Sequence, residues 1–373
     1  MSSSSRESQW RDALQQALTG FLSAYPEGAA DGLYDPIHYL LSLGGKRIRP
    51  VLALAACEAE GGDVSDAMPA AMAVELFHNF TLMHDDIMDE APLRRGRPTV
   101  HTKWDENAAI LSGDVMYTLA LEALEGTPSH ALAGVLSMFN TTAREVCEGQ
   151  QSDMAFESRD EVAVDAYVEM IRLKTSVLLA ASAAMGAMCA GAPKPRVRAW
   201  YAYGLNVGLA FQIQDDLLDT FGESGSTGKQ VGGDILSDKK TLLWLTTQAQ
   251  TEGREVLETW TGVQPASGTD RAEAKIQAVR GAMLAAGAAA LEATTVLVGT
   301  VRMEGLRCPG LTWPGGWVGQ GLADRAIERW CAAAEWWCRA LASARSQLVV
   351  DHSFVLRHLA RGCGEECGDQ LCG

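Results

Sequence analysis

Apolar residues recur every three or four positions over most of the chain, in stretches rich in Ala, Leu, Met and Glu. This spacing puts apolar side chains on one face of an α-helix, and these residue types favour helix. The pattern predicts helices at residues 8–24, 31–43, 46–60, 66–91, 106–123, 129–157, 163–190, 195–221, 236–251, 271–298, 322–345 and 353–361. Sustained alternation of apolar and polar residues is absent from the sequence, so we expect no β-hairpin.

These helices predict an all-α fold, a single large helical bundle. Residues 1–373 are expected to form one domain with its core at about 10–361, because no Gly- or Pro-rich cluster before residue 222 is typical of a linker. A stretch rich in Gly, Pro and Trp at 295–322 interrupts the helical pattern and is interpreted as an insertion. The Cys- and Gly-rich tail at 362–373 is expected to be disordered.

The composition narrows the class of protein. A hydrophobic share of 47% excludes global disorder, and a formal net charge of -16 argues against a nucleic-acid-binding surface. The N-terminus has a serine run without an apolar core, so we expect no signal peptide and a cytoplasmic protein. The uncharged stretch 175–193 is nearly long enough to span a membrane. Its Ala, Ser and Gly content favours a buried helix instead, so no transmembrane segment is expected.

Two acidic motifs carry the first chemical signal. The first acidic motif is Asp85-Asp86-Ile87-Met88-Asp89, and the second acidic motif is Asp215-Asp216-Leu217-Leu218-Asp219. Positions i and i+4 lie on one face of a helix, so the outer carboxylates of each motif point the same way. Both motifs have apolar flanks, which disfavours a freely solvated acidic face. Two such helices facing one cavity would hold a cluster of Mg²⁺ ions with a polyphosphate ligand.

Basic residues accompany the acidic motifs. They are Lys46, Arg47 and Arg49 in GGKRIRP, Arg94 and Arg95 in APLRRGRPT, and further along Lys174, Lys229, Lys239 and Lys240. Arg offers bidentate contacts to phosphate and Lys supplies a point charge. In a chain of this net charge, they predict two anion sites, one bridged by metal and one held by Lys and Arg alone.

Six stretches resemble the trans-isoprenyl diphosphate synthases, the polyprenyl synthetase family, in the family's order and spacing. They are GGKRIRP (44–50), ELFHNFTLMHDDIMDEAPLRRGRPTVH (75–101), GQQSD (149–153), RLKTS (172–176), FQIQDDLLD (211–219) and GKQVGGDILSDKKT (228–241). The resemblance covers about residues 10–290 and implies the helical bundle of the isoprenoid synthases. It also implies Mg²⁺-dependent head-to-tail condensation of isopentenyl diphosphate with an allylic diphosphate, three Mg²⁺ per active site and a homodimer.

The resemblance also implies roles for individual residues. A pocket for isopentenyl diphosphate would consist of Lys46, Arg49, His78 and Arg95. The metal ligands would be Asp85, Asp89 and Asp215, with support from Asp219. Contacts to the allylic diphosphate or its leaving group would come from Arg94, Lys174, Thr175, Gln212, Lys229 and Lys239. Supporting contacts to these groups would come from Gln150 and Asp153.

Product length is predicted from the residues that precede the first acidic motif. The growing chain would run from Asp85 towards the N-terminal end of its helix, past Thr81, Phe80 and Phe77. Thr81 is small and leaves room beyond ten carbons. Phe80 is bulky and stands at the position where the family often places its floor, with Phe77 as a second floor. This favours a twenty-carbon product, geranylgeranyl diphosphate, with farnesyl diphosphate as the runner-up.

Three other functions remain open at this point. A class I terpene cyclase also uses a DDxxD motif and Mg²⁺, but it needs no second diphosphate pocket. A non-catalytic subunit of a heteromeric synthase generally lacks one acidic motif, and a plain helical scaffold needs neither. Lys46, Arg49 and the intact second acidic motif favour the synthase over all three.

Overall fold

A computed structural model describes residues 3–222, 232–266 and 268–288. These residues are 77% helical with almost no strands, which confirms the predicted all-α fold. The proposed insertion at 295–322, the tail at 362–373 and the helices predicted beyond residue 320 lie outside the described residues.

The helices follow one another closely along the chain. They are α1 (Ser3–Leu22), α2 (Asp35–Ser42), α3 (Ile48–Ala59), α4 (Val64–Met88), α5 (Val100–Lys103), α6 (Glu106–Leu124), α7 (Ser129–Glu157), α8 (Val164–Ile171), α9 (Val177–Cys189), α10 (Lys194–Phe221), α11 (Gly233–Leu236), α12 (Leu242–Gln248), α13 (Thr251–Trp260) and α14 (Asp270–Ala285). A 3₁₀ turn spans Ala29–Gly32, and a turn of π-helix, Arg172–Ser176, joins α8 to α9. A single helix predicted at 236–251 is wrong, since α11 and α12 are separate there.

A short hairpin follows α4, so the prediction of no hairpin is wrong. Strand β1 (Leu93–Arg94) pairs antiparallel with β2 (Arg97–Pro98). The two residues between the strands, Arg95 and Gly96, both have positive φ, at 53° and 73°. Left-handed conformation at both central residues matches the twist that a two-residue hairpin needs. Strands of two residues are too short to produce the alternating pattern that would reveal them in sequence.

The chain divides into two compact units. The first unit comprises Met1–Glu148 and Arg172–Gly208, and the second comprises Gly149–Ile171 and the described residues from 209 to 288. The expectation of one domain over residues 1–373 stays a prediction.

The core of the first unit depends on small residues that let helices approach closely. Every residue of the stretch 177–187 on α9 is buried. Gly186 lies directly against the carbonyl group of Ala53 on α3, where a Cβ atom would overlap it. The stretch Val164–Cys189 is long and apolar enough to cross a membrane, but 83% of its most apolar window is buried. This burial agrees with the buried helix predicted for 175–193.

The second unit has its own apolar core, in which Tyr167, Leu243, Val279 and Met283 are all almost fully buried. Helix α12 begins at a side-chain cap, because the hydroxyl of Thr241 accepts a hydrogen bond from the backbone N–H of Trp244 at 3.4 Å. The segment between α11 and α12 therefore forms a defined turn rather than the continuous helix that the apolar pattern suggested.

Candidate active site

The basic pocket, which we define as Lys46, Arg49, His78 and Arg95, lies within the first unit. Its first two members flank the start of α3, which follows a glycine pair. Gly45 has a φ of 152°, and a Cβ atom there would lie 3.0 Å from the guanidinium of Arg95. Only glycine therefore lets the loop pass this close to Arg95. Lys46 comes next and is exposed.

Arg49 and His78 form a pair in this pocket. A terminal N–H of Arg49 donates to Nε2 of His78 at 3.2 Å. A guanidinium only donates hydrogen bonds, so Nε2 accepts and Nδ1 of His78 carries the proton. Burial lowers the pKa of His78 well below 6.5, and the charges of Arg49, Arg94, Arg95 and Arg47 lower it further. His78 is therefore a neutral acceptor at physiological pH.

Arg49 retains a donor that points to a missing ligand. Burial lowers its pKa to about 10, against the attraction of Glu75, so it stays charged. Among the described residues, no group accepts a hydrogen bond from its buried Nε. A buried, unpartnered N–H of a cation is costly unless an anion binds there. Arg47 differs, because it forms a buried ion pair with Glu75 and donates to the carbonyl of Leu41 at 2.8 Å.

The first acidic motif stands at the end of α4, with Asp89 as the residue after its last turn. The middle residue, Asp86, is buried and receives three hydrogen bonds of 2.7 to 2.9 Å from Arg94. Arg94 was predicted to contact the allylic diphosphate, and in the structure it forms an ion pair with Asp86. Its role towards a diphosphate stays a prediction.

The outer carboxylates of this motif suit a divalent cation. Burial raises the pKa of Asp85 to about 6, Lys174 opposes the rise, and the charges of Asp89 and Asp86 add to it. A cation bound between Asp85 and Asp89 would remove this repulsion, and carboxylate oxygens are the ligands that Mg²⁺ prefers. Within the described ranges, no cluster of three His, Cys, Asp or Glu side chains offers a complete metal cage. Mg²⁺ fits such a donor set, because it keeps waters and substrate phosphates in its shell.

Lys174 and Thr175 occupy the turn of π-helix, Arg172–Ser176. Such turns are rare and often mark functional sites. Lys174 is partly exposed, and its positive charge lowers the pKa of Asp85. Thr175 is buried, with 9% exposure. The structure thus brings Lys174 near the first acidic motif, as the predicted contact to a metal-bound diphosphate requires.

The second acidic motif lies on α10, in the second unit. Its middle residue, Asp216, is buried and receives hydrogen bonds from the hydroxyl of Tyr167 and from the amide of Gln212, the latter at 3.0 Å. Burial raises the pKa of Asp216, and the charge of Asp234 raises it further. Gln212, predicted to contact the allylic diphosphate, thus serves Asp216, and its substrate role stays a prediction. Asp215 is only partly buried.

Asp219 connects this motif to the segment that carries Lys239. One carboxylate oxygen of Asp219 accepts a hydrogen bond from the backbone N–H of Asp234 at 2.9 Å, and its carbonyl accepts from Gly232 at 2.7 Å. Lys239 lies 3.7 Å from the carboxylate of Asp234. Its charge lowers the pKa of Asp216, against the effect of burial. Lys229 lies outside the described residues.

The predicted chain-length residues belong to an aromatic cluster in the first unit. The ring of Phe80 lies 5.5 Å from those of Phe77 and Tyr117, centre to centre. Phe77 is almost fully buried and also contacts Phe139 at 5.4 Å. The hydroxyl of Thr81 donates to the carbonyl of His78 at 2.8 Å. Phe80 is only partly buried, so it is more exposed than Phe77.

Two functional features escaped the sequence analysis. Tyr167 is the hydroxyl donor to the second acidic motif, and it lies 49 residues away from Asp216 in sequence. Asp86 is an internal partner of Arg94 rather than an outward ligand. A polar tip on a buried aromatic residue signals that a partner exists, but nothing in the sequence identifies which residue it is.

Comparisons with known proteins agree with this geometry. Residues 30–279 match the polyprenyl synthetase family. A geranylgeranyl diphosphate synthase of Methanosarcina mazei is 44% identical over 221 residues, which are 58% of this chain and 68% of that protein. A geranylfarnesyl diphosphate synthase of Natronomonas pharaonis is 39% identical over 264 residues, which are 66% of this chain and 76% of that protein.

A solved structure extends the match to three dimensions. Geranylgeranyl pyrophosphate synthase from Corynebacterium glutamicum, complexed with isoprenyl diphosphate and magnesium, is 28% identical, with a TM-score of 0.76. The alignment covers 86% of this chain and 99% of that one. The sequence motifs, the helical fold and these matches lead to one conclusion: the chain belongs to the polyprenyl synthetase family.

Proposed function

We propose that this chain condenses isopentenyl diphosphate head-to-tail with an allylic diphosphate in a Mg²⁺-dependent reaction that yields a short-chain prenyl diphosphate. The observation that carries the proposal lies within the first unit. That unit offers two different sites for an anion, a carboxylate pair with Lys174 nearby and a basic pocket in which Arg49 has an unpartnered buried N–H. A terpene cyclase, which binds one diphosphate, has no use for the second of these.

The basic pocket binds the first substrate in this proposal. Arg49 and Arg95 would neutralise the diphosphate of isopentenyl diphosphate, and Lys46 would close over it from solvent. His78 would hold the guanidinium of Arg49 through its neutral Nε2. A neutral histidine avoids adding another positive charge to the four arginines whose charges act on it.

The acidic motifs serve the second substrate. Mg²⁺ held by Asp85, Asp89 and Asp215, with three ions expected, would stabilise the charge that develops on the leaving diphosphate. Lys174, Lys229 and Lys239 would add donors to the same group, together with Arg94, Thr175 and Gln212. The aromatic cluster at Phe77 and Phe80 would exclude water from the allylic cation. Orientation of both substrates would supply much of the rate, and the released diphosphate would accept the final proton.

The test of this function is an assay of purified protein with radiolabelled isopentenyl diphosphate and each allylic diphosphate in turn, followed by sizing of the products. We expect linear prenyl diphosphates that contain the label. Cyclised hydrocarbon from an allylic substrate alone would indicate a terpene cyclase. If the protein alone shows no turnover and a second polypeptide restores it, the chain would be a subunit of a heteromeric synthase.

The proposed main product has twenty carbons, and Phe80 is the proposed floor. Phe80→Ala should lengthen the product, because it removes the less buried ring of the aromatic cluster. Phe139→Leu is a control, since it alters a different ring of this cluster, one that contacts Phe77 and Tyr117. An active Phe80→Ala variant with an unchanged product distribution would place the floor elsewhere.

We further propose that the protein is a homodimer in the cytoplasm. Light scattering would reveal the dimer as twice the 39.9 kDa chain mass.

A further inference from the structure

Lys275 on α14 is a lysine with 0% exposure, and its ammonium group is fully used. It donates to the carboxylate of Asp238 at 2.7 Å and to the carbonyl groups of Val263 at 2.8 Å and Leu236 at 3.1 Å. An ammonium group has three donors, so every one of them has a partner. A charge buried this completely is tolerated only because it is paired and hydrogen-bonded.

Two of the partners of Lys275, Leu236 and Asp238, lie at the turn between α11 and α12, and the third, Val263, follows α13. Asp238 adopts a φ of 55°, a conformation that residues other than glycine rarely take. Its second carboxylate oxygen accepts a hydrogen bond from the backbone N–H of Gly262 at 2.9 Å. Lys275 and Gly262 thus hold both oxygens of Asp238. Such a backbone conformation persists where the surroundings determine it strongly, and these contacts do so.

The turn carries Lys239, the residue directly after Asp238. The backbone N–H of Lys239 donates to the carbonyl of Asp234 at 2.9 Å, and its carbonyl accepts from Thr241 at 2.9 Å. Asp234 in turn donates to the carboxylate of Asp219 in the second acidic motif. The position of Lys239 relative to this motif therefore depends on the turn, and the turn depends on the buried ammonium group.

We infer that Lys275 is a positioning residue that fixes the turn at Asp238 and so presents Lys239 to the allylic diphosphate. This inference rests on the proposed function, in which Lys239 contacts that diphosphate. Lys275 itself has no free donor and is inaccessible, so it acts only through the turn. Loss of its ammonium group would leave two carbonyl groups and one carboxylate oxygen without a partner, and the turn would relax.

The variants that test this inference are Lys275→Met, Asp238→Asn and Lys239→Met. Lys275→Met keeps most of the length of the side chain and removes the charge. Asp238→Asn is milder, because Asn tolerates left-handed φ but turns one acceptor oxygen into a donor. Arg196→Met is the matched control, since it also removes a mostly buried cation, one paired with Glu60 in the first unit.

Steady-state kinetics should show an effect restricted to one substrate. We expect Lys275→Met to lower kcat/KM for the allylic diphosphate by about ten- to a hundred-fold, because small misplacements have effects of that size. The KM for isopentenyl diphosphate should change by less than about three-fold, which is clearly smaller than the ten-fold or larger effect expected for the allylic substrate. In the Lys239→Met background, Lys275→Met should add little, since both changes disable the same contact. Arg196→Met should leave both constants near those of the wild type.

Binding of Mg²⁺-pyrophosphate, measured by calorimetry, reads the same contact without turnover. Lys275→Met should weaken it about ten-fold, and Arg196→Met should not. If the wild type makes no prenyl product but this difference persists, the proposed function fails and the inference stands. If the wild type is active while a folded Lys275→Met variant binds pyrophosphate normally, or loses rate for both substrates equally, the inference is overturned. Should Lys275→Met not fold, the same two criteria apply to Asp238→Asn.

Discussion

The two acidic motifs share one spacing and each buries its middle aspartate, but the partners of that aspartate differ. Asp86 receives three hydrogen bonds from the cation Arg94, whereas Asp216 receives its bonds from the neutral groups of Tyr167 and Gln212. The first acidic motif therefore has a neutralised centre in a cation-rich region. Burial raises the pKa of both middle aspartates. The charge of Arg94 opposes this rise at Asp86, whereas the charge of Asp234 adds to it at Asp216, which has no ion pair among the described residues.

In both motifs the middle aspartate is buried and held by hydrogen bonds from the protein. We therefore expect the outer aspartates, rather than the middle ones, to bind the metal and the substrate. In the second acidic motif even Asp219 is partly engaged, through the backbone of Asp234. Asp215, which is partly buried, stays the predicted metal ligand of that motif.

The largest expected effect comes from the outer aspartates. Asp85→Ala and Asp215→Ala should each lower turnover by about a thousand-fold or more, because each removes a ligand from a site that works by electrostatic stabilisation. Helical circular dichroism should stay unchanged. Asp114→Ala, which removes an exposed carboxylate from α6, is the control and should be fully active. Near-normal turnover of a folded Asp85→Ala variant would contradict the assignment.

The partners of the middle aspartates should differ in their effect on stability. Arg94→Met leaves the buried Asp86 without its cation and should lower the free energy of unfolding by about 3 kcal/mol. Tyr167→Phe removes one of the donors to Asp216 and should cost about 1.5 kcal/mol. Urea unfolding with constant m-values measures both. Equal losses of unfolding free energy would mean that Arg94 and Tyr167 stabilise the buried carboxylates of Asp86 and Asp216 to the same extent.

The basic pocket should respond to substitution in a substrate-specific manner. Arg49→Ala and Lys46→Ala should raise the KM for isopentenyl diphosphate about ten-fold, since each removes a charge-assisted contact from a pocket without metal. The KM for the allylic substrate should change much less. Lys103→Ala removes another cation of the first unit and is the control for general charge effects. Equal shifts for both substrates would refute the existence of two separate anion sites.

A smaller effect, on the pH dependence of stability, is expected from His78, which lies among the arginines near the first acidic motif. Its pKa in the folded protein lies well below its unfolded value of about 6.5. The folded state thus favours the neutral ring, and this contribution is complete above pH 6.5 and is lost as the pH falls towards the folded pKa. Between pH 7.5 and 5.5 the wild type should lose about 1 kcal/mol more unfolding free energy than His78→Gln. Parallel pH profiles for the two proteins would show that His78 does not titrate in this way.

Much of the fold could be predicted because its helices are long and periodic. Helix α7 has the bounds that the apolar pattern indicates, and α6 differs from them by one residue. The hairpin at Arg95 and Gly96 escaped prediction, because its conformation depends on backbone dihedral angles rather than on apolar spacing. The break between α11 and α12 escaped it too, because the turn at Asp238 is held by Lys275, 37 residues further along the chain.

The candidate site divides in the same way. The acidic spacing indicated the pairs Asp85 with Asp89 and Asp215 with Asp219, since helix geometry relates residues four apart. The choice of Asp85, Asp89 and Asp215 as metal ligands rests on the family resemblance and stays a prediction. The partnership of Asp216 with Tyr167 joins residues 49 apart in sequence, and only tertiary packing brings them together. Local pattern predicts candidate ligands four residues apart, whereas tertiary packing brings together residues, such as Tyr167 and Asp216, that are distant in sequence.

The most direct measurement for this account is the Mg²⁺ dependence of prenyl transfer in the wild type, Asp85→Asn and Tyr167→Phe. The wild type should be inactive in EDTA and should recover with Mg²⁺. Asp85→Asn should need at least about ten-fold more Mg²⁺ for half-maximal activity, because it loses a charged ligand. Tyr167→Phe, which alters only the support of a middle aspartate, should keep the Mg²⁺ requirement of the wild type. Undiminished turnover in EDTA, or the same Mg²⁺ requirement in Asp85→Asn as in the wild type, would contradict the claim that the outer aspartates hold the metal.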